Sequence, residues 1–150
     1  MAFSVHAIEG LNYEDFRRGV VFLRCDQDSG INAEAVFRAL KAKDQNRMRD
    51  KFEHWMRGND GPAHWFHGFD DEERKHCFVF KRRQLHTHYR YYGFLTHPQP
   101  NTDPEYWLCV LANHGQKNTE ATDPVETNFV NALRVQLDVI AAVQRGFPDQ

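Results

Sequence analysis

The sequence predicts an α+β fold: a small antiparallel sheet packed with an N-terminal helical hairpin and a C-terminal helix, in the order β-α-α-β-β-β-α. Three observations carry this expectation. Short β-branched or aromatic runs occur once near the start and three times in succession between His76 and Ala112. Between Asn32 and Gly58 the apolar residues fall at helical spacing. From Val125 onward the chain closes on another helical stripe.

The elements follow in order. "GVVFLRCD", Gly19 to Asp26, reads as a strand, and the turn-rich "QDSG" ends it. Asn32 is placed to cap a helix over Ala33–Leu40. Asp44 is a second cap, for a helix with Met48, Phe52, Trp55 and Met56 at i, i+4, i+7 and i+8 and Gly58 at its end. The two helices form a hairpin whose apolar stripe suits the face of a sheet. "HCFVFKRR", "HYRYYGFL" and "YWLCVLA" are then three strands joined by short polar or proline-bearing connections, for which an antiparallel meander is the simplest pairing. The polar stretch "NHGQKNTEATDP", Asn113 to Pro124, reads as a loop. Asp123 and Glu126 are spaced as a cap and its reciprocal partner, with Pro124 at the first helical position. Val125, Phe129, Leu133, Leu137 and Ile140 form the stripe of the last helix, stopped by Gly146 and Pro148.

A length of 150 residues suits one domain with a real core, and residues 1 to about 18 read as a short extension. No apolar run approaches the roughly 18 residues of a membrane span, and "MAFSVHAIEG" lacks the pattern of a signal peptide. Cys25, Cys77 and Cys109 are an odd set without CxxC spacing, which points to buried reduced thiols in a cytoplasmic protein. A formal charge of -2 excludes broad non-specific adhesion to nucleic acid but leaves room for a local basic surface.

Such a surface is suggested where the strands end. Lys81, Arg82 and Arg83 close one strand, Arg90 lies within the next and Lys117 follows the third. In a meander these cations converge, and guanidinium and ammonium groups stabilise charge on phosphate oxygens. Strand-end cations also keep sheet edges soluble, so the trio alone has a bland reading. In "HTHYRYY", period two puts Tyr89, Tyr91 and Gly93 on one face and His88, Arg90 and Tyr92 on the other. The rings suit stacking on unpaired bases or packing in the core, and a tyrosine or histidine can move a proton. Arg90 in a central strand is costly to bury alone, so it should face a cleft or a carboxylate. His86 and His88 form an H-x-H pair, but no ligand set of recognisable spacing accompanies them, and neither metal nor cofactor is expected.

The element order, with "HYRYYGF" followed by "YWLCVLANHGQKNTEATDPVETNFVNALRVQLD", resembles the RelE/ParE superfamily of toxins, particularly its HigB-like branch. Arg90 and Tyr91 stand at the family's arginine-bearing strand, Lys117 in its lysine-rich loop, and Ala132 and Arg134 in its final helix. The resemblance implies a RelE-like sheet and the toxin of a type II toxin–antitoxin system: a cytoplasmic, metal-independent endoribonuclease that cuts mRNA on the ribosome and is blocked by a cognate antitoxin. It implies catalytic roles for Arg90, Tyr91, His114 and Lys117, with Arg90 and Lys117 as charge stabilisers and His114 or Tyr91 moving the proton. Lys81, Arg82, Arg83, His88 and Tyr92 would contact RNA. The chain departs from the family pattern in having one loop lysine rather than a pair. A non-catalytic protein-binding module on the same fold and a metal-dependent small-molecule enzyme using His86 and His88 are the alternatives.

Overall fold

The computed structural model describes residues 2–117 and 124–149, with Lys117 described through its backbone. The chain opens with β1 (Ser4–Ala7) and β2 (Arg18–Arg24) and passes through α1 (Ala33–Ala39) and α2 (Ala42–Met56). Four strands follow: β3 (Phe66–Gly68), β4 (Cys77–Gln84), β5 (Thr87–Thr96) and β6 (Trp107–Lys117). Two helices close it, α3 (Pro124–Arg134) and α4 (Leu137–Gly146). All six strands form one sheet in the order β1-β2-β6-β5-β4-β3. The fold is α+β, with the expected antiparallel meander at β4-β5-β6, but the sheet is mixed because β2 runs parallel to β6.

Each face of the sheet buries its own core. On one, Phe22, Val20, Cys109, Leu111 and Phe80 meet α1 and α2 through Phe37, Met48, Phe52 and Trp55. The α2 residues are the stripe that the sequence spells out, and Gly58 follows that helix at φ +100°, in the left-handed region expected after a helix end. On the other face, Val21, Leu23, Val79, Tyr92, Phe94 and Val110 pack against Val130, Leu133, Val139 and Val143 of α3 and α4. All three cysteines are buried thiols. Among the described residues no helix is long and apolar enough to cross a membrane.

Several expectations are corrected. The described part of the N-terminal extension, from residue 2, is built into the fold: β1 pairs with β2, and Phe3 and Ile8 are buried. Asn32 stands at the N-cap of α1 as expected, but its side chain makes no cap bond; its Oδ1 accepts the His114 backbone N–H at 2.8 Å, tying the start of α1 to β6. Asp44 lies inside α2, which begins at Ala42. β6 runs through Asn113–Lys117, because pairing with β5 satisfies backbone groups whatever the side chains are. Pro124 begins α3 as expected; Asp123 lies outside the described residues. The single C-terminal helix is two, broken at Val135–Gln136, so Val125, Leu137 and Ile140 are exposed and Thr127, Val130, Val139 and Ala142 take the core positions.

A β-bulge divides the β5–β6 ladder. Tyr92 opposes Asn113 and Gly93 opposes Leu111, leaving Ala112 as the extra residue. On one side of the bulge the ladder is apolar. On the other, from Thr87 to Tyr92 and from Asn113 to Lys117, it carries the residues singled out by the sequence.

Candidate functional site: a cationic cleft at the edge of β4

β3 is only three residues long and pairs with Phe78–Phe80, so β4 projects beyond its neighbour from Lys81 onward. There the Pro62–Trp65 turn runs alongside, and the Lys81 N–H donates to the Trp65 carbonyl oxygen at 2.7 Å. From the helical side, the Lys51 ammonium of α2 donates to the Lys81 carbonyl oxygen at 2.7 Å. Between these elements lies a cleft of about 610 Å³. Lys51, Lys81, Arg82, Arg83 and Arg90 line it, joined by His64, Trp65 and His88, and no carboxylate is among its described lining residues.

The register explains the concentration of charge. Lys81 stands directly opposite Arg90, and Arg83 opposite His88. Lys81 and Arg90, two cations set directly opposite one another, place their charges side by side across the ladder. Arg90 is 1% exposed, although it lies on an interior strand. The Lys51 ammonium is held below its ordinary pKa, first by burial and then by the nearby Arg82 and Arg47. His67 on β3 is likewise lowered, mainly by burial, with Lys81, Arg90 and Arg74 adding their charge. Both shifts come from burial first, and the neighbouring cations add to it.

The sequence-predicted residues thus divide. Lys81, Arg82, Arg83, His88 and Arg90 come together in the cleft. The register puts position 117 opposite His88, at the same end of the sheet. Tyr91 and His114 do not line the cleft: they pair across the β5–β6 ladder on the face covered by α1 and α2. A row of rings leads there from the cleft wall. The Arg82 guanidinium lies 4.2 Å from the Tyr89 ring centroid, Tyr89 stacks on His114 at 5.8 Å, and His114 meets Tyr91 edge-on at 4.7 Å. Burial pushes the Tyr91 phenol up to about 12. His114 is pushed down to about 4, first by burial and then by Arg82. Tyr91 is therefore a neutral phenol and His114 a neutral imidazole near pH 7. Their Oη and Nε2 atoms are buried and have no hydrogen-bond partner among the described residues.

Tyr92 is 1% exposed and belongs to the core beneath α3, so its ring is not offered to a base. His86 is exposed in the β4–β5 turn, and among the described residues no three His, Cys, Asp or Glu side chains gather as a metal set. Lys51, His64 and Trp65 are cleft residues that sequence reasoning did not place there. For Lys51 the available signal was its position three residues after buried Met48, at the margin of the stripe, where a long side chain can reach past the helix.

No family model matches the chain, and neither does any curated protein or solved structure.

Proposed function

We propose that the cleft binds the phosphodiester backbone of a single RNA strand, and that the protein is a metal-independent endoribonuclease of the RelE/ParE toxin type, with mRNA on the ribosome as substrate and an antitoxin as its inhibitor. The observation that carries the reading is the gathering of five cationic side chains around one cleft with no carboxylate among its described lining residues, Lys81 and Arg90 being set directly opposite one another. The run from β2 through α1, α2 and the β4-β5-β6 meander to α3 supports the RelE-like comparison, with Arg90 and Tyr91 on its middle strand.

The chemistry assigns roles by reach and protonation. The ribose 2′-oxygen attacks the adjacent phosphorus, a cyclic phosphate forms, and the 5′-oxygen leaves. Arg90, Arg82 and Lys81 neutralise the charge that builds on the phosphate oxygens. His88, in the cleft wall, takes the 2′-proton, and His64 is placed to return one to the leaving oxygen. Trp65 offers an indole for an unpaired base. Tyr91, a phenol held protonated, is a poor base, and together with His114 it supports the Arg82 wall.

The test is cleavage of a single-stranded RNA beside the same sequence carrying 2′-O-methyl groups, both with chelator present. The expected result is cutting of the first alone, with 2′,3′-cyclic phosphate ends, and a loss of roughly 100-fold or more in His88→Gln. Cutting of the methylated strand would refute the mechanism. Binding without cutting would favour the second reading, a non-catalytic module in which the same cleft holds an acidic protein partner. The unsatisfied Tyr91 and His114, set away from the cleft, are the observation in its favour.

A further inference from the structure

A second cavity lies at the other end of β5, where α4 crosses the sheet, and its chemistry differs from that of the cleft. It measures about 260 Å³. Phe94, Val139 and Val143, all buried, supply apolar walls, and Ile140, 44% exposed, stands at the rim. Among its described lining residues the one with a permanent charge is Arg134, the last residue of α3. The break at Val135–Gln136 turns α4 away at this point and leaves Arg134 at the cavity wall. The Arg134 Nε is buried and has no hydrogen-bond partner among the described residues. An orphaned donor on a cation is costly in an apolar setting, and no carboxylate among the described residues lines the cavity to answer it.

Two of the other polar side chains are already committed, and Thr96 adds a hydroxyl to the lining. His97 Nδ1 is hydrogen-bonded to the Tyr106 carbonyl oxygen at 3.0 Å, and Gln144 Nε2 donates to the Pro98 carbonyl oxygen at 3.1 Å. They fix the rim, and Arg134 is left to do the recognising. The geometry points to a binding site for a small amphipathic monocarboxylate, its carboxylate on Arg134 and its hydrocarbon body against Val139, Val143 and Phe94. A single guanidinium among apolar walls satisfies one negative charge but not a phosphate dianion. The volume is that of about nine waters at roughly 30 Å³ each, so a body of about eight to ten non-hydrogen atoms fits. Hexanoate is such a molecule.

The experiment is an amide-resolved NMR titration of the full chain with hexanoate and, separately, with its neutral isostere hexanamide. Saturable shifts at Thr96, Val139 and Gln144 are expected with hexanoate, and weaker binding of hexanamide by roughly tenfold or more. Arg134→Gln should lose affinity for hexanoate to the same extent, and Val143→Trp, which fills the cavity, should abolish binding while the spectrum stays dispersed. The inference is overturned if no saturable shift occurs, if hexanamide binds as well as hexanoate, or if the shifts fall only around Lys51 and Arg82. Should Arg134→Gln fail to fold, the comparison of the two ligands on the native chain decides the matter. The outcome is independent of whether the cationic cleft binds RNA.

Discussion

Replacing Lys81 and Arg83 together by glutamine probes the cleft without touching the core, because Arg83 is exposed and Lys81 only half-buried. The Lys81 backbone bond to Trp65 survives the change, since it uses the main-chain N–H. The expected effect comes from counterion release. Each phosphate neutralised on a single strand contributes about -0.7 to the slope of log affinity against log salt. If all five cleft cations engage phosphates, the native slope is about -3.5, and affinity falls roughly 100-fold between 50 and 200 mM salt. Removing two cations leaves a slope of about -2.1 and a fall of roughly 20-fold over the same range.

Fluorescence anisotropy with a labelled single-stranded RNA, at a series of salt concentrations, measures both slopes. Equal melting temperatures for the two proteins would show that the fold is intact. A double variant with the native slope would refute the placement of phosphates in this cleft, since two of its five cations would then have no part in binding. A native slope flatter than about -1 would do the same, because fewer than two phosphates would be in contact.

Two further predictions concern the scaffold. Gly93 sits at the bulge, and a Cβ there would stand 2.5 Å from the Val110 carbonyl oxygen and 2.9 Å from its carbon. Backbone in mid-sheet cannot withdraw as a side chain can, so Gly93→Ala should cost about 1–3 kcal/mol in urea unfolding, and an unchanged midpoint would contradict the packing. His114 titrates at about 4 in the fold against 6.5 when unperturbed, so between these values the unfolded chain binds more protons. Stability should therefore be insensitive to His114 above pH 6.5 and fall as the pH drops toward 4, by about 1–2 kcal/mol once partial exposure is allowed for. His114→Phe should flatten that slope, and identical pH profiles for the two proteins would count against the burial of the imidazole.

What the sequence discloses depends on how local each determinant is. The α2 stripe of Met48, Phe52, Trp55 and Met56 is legible because a 15-residue helix repeats its own pattern and docks as a unit. The alternation in β5 is legible too: His88 and Arg90 share a face with Tyr92, which reaches the core where α3 covers the sheet. The end of the chain is not. The break between α3 and α4 lies at Val135–Gln136, with neither glycine nor proline to mark it, and the apolar residues of an unbroken stripe consequently end up outside, Leu137 at 82% exposure. Nor is β6 legible past Ala112, because its polar extension is held by ladder partners on β5. The cleft was legible on the strand side only. Lys51 and Trp65 join it through contacts with Lys81 that span 30 and 16 positions of sequence, and no local pattern encodes such a meeting.

Protection of sheet edges explains only some of the cleft's cations. Edge protection calls for charges that point into water along an unpaired strand, and Arg83, exposed on the projecting end of β4, meets that description. It does not account for Arg90. β5 is an interior strand, bonded to β4 on one side and β6 on the other, and has no edge to protect. A guanidinium at 1% exposure there adds nothing to solubility and incurs a desolvation cost. Its register opposite Lys81 adds repulsion. Lys51 extends the point, since a partly buried ammonium whose pKa is already lowered is a poor choice for a solvated surface. Arg90 and Lys51, the two cations that edge protection does not account for, line the same cleft, and two buried or half-buried cations on one wall are what the proposed phosphodiester site requires.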